Sequence, residues 1–166
     1  IPGGDVAEMV ECADMHGARS IGPNCLGLIV PEVCKMGGIG GPAKDAAKSY
    51  KPGVVGVMSR SGGMTTEISS SLTAAGLGVS TAVSTRGDAI IGSSYAELMP
   101  LFEAFMAGKF MDDDEMQGMS FGHAGTIVEG KEDSATEKIL RLEEAGIKVV
   151  ERIDEIPEAV KERINA

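Results

Sequence analysis

Apolar residues along this chain of 166 fall into two patterns, short unbroken runs and stripes at helical spacing, and from Gly53 onward the two alternate. "GVVGVMS" (53–59) and "GVSTAVST" (78–85) are continuous runs of the kind buried in parallel sheets. Between them, Gly62 and Gly63 lead into a helix that should place Met64, Ile68, Leu72 and Ala75 on one face. The loop "RGDAIIGS" comes next, then a helix with Tyr95, Leu98, Met99, Phe102 and Phe105 at helical spacing. A later helix carries Ala135, Ile139 and Leu142 and ends at Ala145–Gly146; "IKVV" (147–150) is expected as the last strand. Ile156, Val160 and Ile164 line a final helix.

The first third is less regular. Asp5 to Gly17 is expected as a short helix with Asp5 as N-cap and Gly17 as C-cap. "ARSIG" (18–22) is expected as a buried strand, and "GPNCLGLIVP" as a turn opening a loop. The segment 34–52, "CKMGGIGGPAKDAAKSYKP", has no periodicity and is expected as a mobile loop. Strands alternating with helices indicate an α/β fold, a parallel sheet with helices on both faces.

Composition narrows the function classes. The chain is 43% hydrophobic with few aromatics and 23 glycines, which favours an aliphatic α/β core over an aromatic-rich sandwich. A net charge of −10 without a Lys/Arg run argues against nucleic acid as a partner. Anions remain possible guests, since helix N-termini bind them without cationic side chains. Cys12, Cys25 and Cys34 fit neither a disulfide framework nor a zinc pattern, which points to a reducing, cytoplasmic setting. No apolar run approaches the ~20 residues that span a bilayer, and no signal peptide is visible, so no membrane partner is expected. The opening "IPGGDVAEMV" lacks an initiator Met, and the chain is read as a fragment of a larger protein.

Two segments could carry chemistry. In "VVGVMSRSGGMTTEI" a strand runs through a Ser/Gly turn into a helix whose first N–H groups lack intrahelical partners and whose dipole favours negative charge. Ser59 and Ser61 add hydroxyls, Gly62 and Gly63 admit a bulky anion, and Arg60 either adds charge or points into solvent. The plain alternative is a glycine-lined turn without a ligand. In "SFGHAGTIVEG", Gly122, Ala124 and Gly125 clear space around His123. Neutral imidazole is a nucleophile near pH 7 and can carry a phosphoryl group. The alternative is a structural histidine, which is how His16 is read, near a helix C-terminus. "MDDDE" (111–115) is read as solvated carboxylates, and no metal site is assigned. A serine hydrolase is a competing class: "SRSGG" nearly matches a nucleophile elbow, with Ser61, one of Asp112 to Asp114, and His123 in the order nucleophile, acid, base. The first elbow glycine is missing, and acid and base are crowded.

With "GPNC", "SRSGG", "GSSY" and "GHAG" in that order, the chain resembles the α subunit of succinyl-CoA synthetase and the wider family of NDP-forming acyl-CoA synthetases. "SRSGGM" and "FGHAG" look closest to ATP-citrate lyase and to archaeal α-subunit relatives. The resemblance implies a flavodoxin-like ligase-CoA domain at 53–166, a linker at 32–52, and at 1–31 the tail of a Rossmann-type CoA-binding domain. It implies that His123 is the catalytic phosphohistidine, that Ser59, Arg60, Ser61, Gly62 and Gly63 cradle phosphate, and that Asn24 and Cys25 lie near the CoA thiol. CoA, phosphate and a carboxylic acid would be the small-molecule partners. An ATP-grasp β subunit would bind Mg-NTP, making the protein a hetero-oligomer. Thr66 stands where succinate-specific members have tyrosine and is assigned to substrate binding. Relative to the family, a block of several tens of residues is missing at the Phe105–Met106 junction, including the glutamate that would hold the histidine's other nitrogen. A non-catalytic binding or regulatory paralogue is therefore the alternative to an enzyme.

Overall fold

A computed structural model describes residues 2–85, 92–106 and 135–165 of the chain. Six helices and four strands occur among them: α1 (Gly3–Met15), β1 (Gly27–Val30), β2 (Cys34–Met36), α2 (Ala43–Ser49), β3 (Pro52–Ser59), α3 (Gly62–Ala74), β4 (Val79–Ser84), α4 (Tyr95–Met106), α5 (Ala135–Glu144) and α6 (Ile156–Ile164). The strands form one sheet in the order β2-β1-β4-β3.

The sheet is mixed, which corrects the expectation of an all-parallel one. β3 and β4 pair parallel, as the β3–α3–β4 crossover requires, whereas β1 runs antiparallel to both β4 and β2. The antiparallel half arises because "GLIV" enters the sheet from the opposite end and turns back at once. Glu32 adopts a left-handed φ of 64°, and the Val33 N–H donates to the Val30 carbonyl at 3.0 Å, closing the hairpin into β2. Part of the segment expected as a loop is therefore strand. Another part is α2, a helix too short to show a period, whose buried residue Ala46 precedes buried Tyr50.

Two further expected strands are not strands. In "ARSIG" the Ser20 and Gly22 carbonyls accept from the N–H groups of Ser93 (2.6 Å) and Gly92 (2.9 Å), so the segment docks on the approach to α4 rather than on a ladder. "IKVV" pairs with no strand among the described residues. At α1 the N-cap is Pro2, with Asp5 inside the first turn, and the C-cap is His16, one residue before the expected Gly17, which follows in the left-handed region (φ 66°). α1 buries no residue.

The core is Ile29, Ile39, Ala46, Tyr50, Val57, Leu72, Val79 and Ala82, with Val55, Ile68, Ile156 and Val160 packed against it. Successive strand side chains alternate faces. Val55 and Val57 of β3 thus share the face that α3 covers, with α6 packed on α3, while on the opposite face a Cβ at Gly56 would lie 2.6 Å from Phe102 of α4.

The buried face of α3 is not the apolar stripe that the spacing suggested. Thr65, Ser69 and Leu72 are buried, and Met64 is 42% exposed. Hydroxyls can go inside because they bond back to the preceding turn: Thr65 Oγ1 donates to the Ser61 carbonyl (2.8 Å) and Ser69 Oγ to the Thr65 carbonyl (2.7 Å). Their small size also lets the helix sit close to the sheet.

Candidate functional site

The site residues fall at the carboxyl ends of β3 and β4, the edge where open α/β sheets take ligands. β3 ends at Ser59, Arg60 makes the turn, and Ser61 in extended conformation (φ −99°, ψ 123°) caps α3. The Ser61 hydroxyl accepts from the Met64 N–H at 3.4 Å, and the Ser59 hydroxyl accepts from the Ser61 N–H at 3.1 Å. Each hydroxyl accepts one backbone proton and keeps its own to donate. The Ser59 carbonyl is tied to β4 by the Thr85 N–H at 2.8 Å, which fixes the turn to the sheet.

This arrangement leaves a positive end on α3 that is open at Gly63 and covered by Leu26 at Gly62. The N–H groups of Gly62 and Gly63 have no acceptor among the described residues. No acidic side chain occupies the first turn, so nothing offsets the dipole. A Cβ at Gly63 would meet no atom within 4 Å. Arg60 is half-buried beside this end, and its side chain makes no hydrogen bond or ion pair among the described residues.

The "GPNC" loop arrives at the same edge. Gly27 pairs with Ser84, the last residue of β4, and the Leu26 N–H donates to the Ser84 hydroxyl at 3.4 Å. The Leu26 side chain lies over Gly62, filling the space that a Cβ there would need. Asn24 is exposed; Cys25 is half-buried, its thiol donating to the Ile21 carbonyl at 3.3 Å. Asn24, Cys25 and the Ser59–Gly63 turn are therefore brought to one end of the sheet, joined through Leu26. Spacing alone missed Leu26 and Ser84, because this contact depends on β1 running antiparallel.

Thr66 is placed differently. Its Oγ1 is 2.8 Å from the Tyr50 hydroxyl and 3.4 Å from the Gly62 carbonyl, so it faces the α2–α3 junction. Burial pushes the Tyr50 phenol above the usual tyrosine range, an effect opposed by its contacts with the Thr66 and Ser69 hydroxyls. His123 and Asp112 to Asp114 lie outside the described residues. For the hydrolase reading, the available observation is that Ser61 has ordinary extended backbone and its hydroxyl caps a helix, whereas an elbow nucleophile sits on a strained turn. No group of three metal-ligating side chains occurs among the described residues, and no helix among them is long and apolar enough to cross a membrane.

A helix-capping Ser/Gly turn at a strand's carboxyl end, with a second loop folded against it, is a place where an α/β protein can receive an anionic group. Sequence comparison shows what the chain is similar to. The chain is 34% identical over 192 residues to the α 2 subunit of an ADP-forming succinate–CoA ligase from Archaeoglobus fulgidus, covering 98% of this chain and 65% of that protein. It is 31% identical over 196 residues to the corresponding α subunit from Methanothermobacter thermautotrophicus, covering 100% and 64%. It is 28% identical over 198 residues to SqwL, an ADP-forming sulfoacetate–CoA ligase subunit from Acholeplasma sp., covering 98% and 64%. No protein-family model matches the chain. By fold it is similar to ATP citrate lyase from Methanothrix soehngenii, solved with citrate and coenzyme A, with a TM-score of 0.77 at 22% identity over 99% of this chain and 33% of that one.

The chain is related, over nearly its whole length, to the α subunits of NDP-forming acyl-CoA ligases. It spans less than two thirds of the length of these curated relatives. The Methanothermobacter alignment runs 196 residues against the 166 of this chain, so that relative carries a few tens of residues this chain lacks.

Proposed function

We propose that this chain is the ligase-CoA part of an α subunit of an NDP-forming acid–CoA ligase. The reaction would join a carboxylic acid to CoA at the expense of an NTP. One observation carries the reading: the open N-terminus of α3 and the "GPNC" loop share one end of the sheet, joined where Leu26 covers Gly62. In this reading Gly62 N–H, Gly63 N–H and the Ser59 and Ser61 hydroxyls hold a phosphoryl group, with Arg60 as a nearby cation. Asn24 and Cys25 lie towards the CoA thiol. His123 accepts the phosphoryl group on a ring nitrogen as NDP leaves. It then passes the group to the carboxylate, and the CoA thiol displaces phosphate from the acyl phosphate. Mg-NTP belongs to an ATP-grasp β partner, and the setting is cytoplasmic.

The domain reading follows the same lines: 1–31 as the tail of a Rossmann-type CoA-binding domain, 32–52 as the linker, and 53–166 as a flavodoxin-like domain. The residues lacking relative to the relatives are placed at Phe105–Met106. That shortfall favours a second reading, a non-catalytic paralogue, since the lost block would include the glutamate that orients the histidine. Incubation with an ATP-grasp β partner and γ-labelled NTP separates the two. A ligase gives an acid-labile, base-stable phosphoprotein that His123→Ala abolishes. Label surviving that substitution refutes the role of His123, and no label at all supports the paralogue.

A further inference from the structure

The hydroxyl cluster under α3 has a role that depends on, and deepens, the reading of the α3 start as an anion site. A peptide unit is planar, so fixing the carbonyl of one residue fixes the direction of the next residue's N–H. The Ser61 carbonyl accepts from both the Thr65 N–H (3.0 Å) and Thr65 Oγ1 (2.8 Å), which sets the Gly62 N–H. The Gly62 carbonyl is approached by Thr66 Oγ1 at 3.4 Å, and Thr66 Oγ1 lies 2.8 Å from the Tyr50 hydroxyl. With Thr66 donating to Gly62, its oxygen accepts from Tyr50, and this chain sets the Gly63 N–H. Tyr50 is a firm anchor: it is 2% exposed, its N–H closes α2 on the Ala46 carbonyl at 2.9 Å, and its ring packs so closely on Gly40 that a Cβ there would lie 2.8 Å from it.

We propose that Tyr50 is a positioning residue for the anion site, aiming the Gly63 N–H through Thr66 and the Gly62 carbonyl. Thr66 then serves the site through the backbone rather than by touching substrate. A glycine pair is otherwise the least constrained backbone available, and a donor must be aimed in advance to bind an anion well.

The test uses the full chain, with the Gly63 amide order parameter and an inorganic phosphate titration both read by NMR. Tyr50→Phe keeps the ring and removes the hydroxyl; Thr66→Val removes the relay, and Thr66→Ser restores it. Thr73→Val is the control, because Thr73 Oγ1 donates to the Ser49 carbonyl at 2.9 Å across the same α2–α3 junction, remote from the first turn. Tyr50→Phe and Thr66→Val should each lower the Gly63 amide order parameter towards flexible values and weaken phosphate binding about fivefold, the equivalent of one net hydrogen bond. Thr66→Ser and Thr73→Val should do neither. An unchanged Gly63 order parameter in Tyr50→Phe, or the same effect in Thr73→Val, overturns the proposal. If wild type binds no phosphate while Tyr50→Phe alone still frees Gly63, the anion reading fails and the positioning role stands.

Discussion

Gly63→Ala should make this protein more stable and less able to bind phosphate. Gly63 is the second residue of α3, its φ is not positive, and a Cβ there would meet no atom within 4 Å, so alanine fits without strain. Replacing glycine by alanine in a helix gains about 0.5–1 kcal/mol, mostly by restricting the unfolded chain, and a first-turn position should give the lower part of that range. For a domain of this size the gain corresponds to a rise in Tm of roughly 1–3 °C. The same methyl is harmful to binding, because every helical Cα–Cβ bond tilts towards the helix N-terminus. It would project into the space that an anion needs in order to reach the Gly62 and Gly63 N–H groups. Calorimetry and a phosphate titration monitored at the amide of position 63 measure both effects. Gly4→Ala is the matched control. Gly4 is also the second residue of its helix with no atom near a Cβ, but α1 buries nothing and lies outside the cooperative core. It should raise helicity slightly and leave both Tm and phosphate binding unchanged. A Gly63→Ala protein that melts lower, or that binds phosphate as well as wild type, refutes the assignment of an open anion site at the start of α3.

Other expectations follow from the same contacts. Leu72 has no exposed surface and anchors α3 in the core, so Leu72→Ala should cost about 2–5 kcal/mol, read as a lowered denaturant midpoint. An unchanged midpoint would mean that α3 is not held by this contact. At the start of α4 the Glu97 carboxylate accepts from the Ser94 N–H and the Ser94 hydroxyl, both at 2.7 Å; these bonds, with a smaller contribution from Arg19, hold its pKa below the usual glutamate value. A depressed carboxylate contributes stability above its unfolded pKa of about 4.3 and loses it as pH falls through the lower folded value. Glu97→Gln should therefore flatten the acid limb of a stability–pH curve below about pH 4.3; an unchanged limb would remove this pair from the account.

What could be read in the sequence depended on whether a feature was local. β3, α3 and β4 were legible because a continuous apolar run, a capping serine before two glycines and a second run each reflect neighbouring residues. The strand, turn and helix start proposed to hold an anion were legible for the same reason, since they are contiguous. β1 and β2 were not, because their hairpin turns on Glu32 in the left-handed region, without the Asn-Gly or Gly-Gly signal that usually announces such a turn. "ARSIG" failed in the opposite sense: it is apolar enough for a strand, but Gly92 and Ser93, distant in sequence, take its carbonyls. The inward face of α3 misled for a physical reason. Hydropathy counts Thr65 and Ser69 as outward residues, yet each hydroxyl meets its need on the carbonyl one turn back and can then be buried. Thr65 sets the Ser61 carbonyl, and Tyr50 reaches the Gly62 carbonyl through Thr66 from the end of a helix too short to have a period. The residues that make the turn chemically useful are thus ones that no hydrophobic pattern marks. Substitutions at Tyr50, Thr65 and Ser69 should disturb this site more than changes in its exposed rim at Met64 or Glu67.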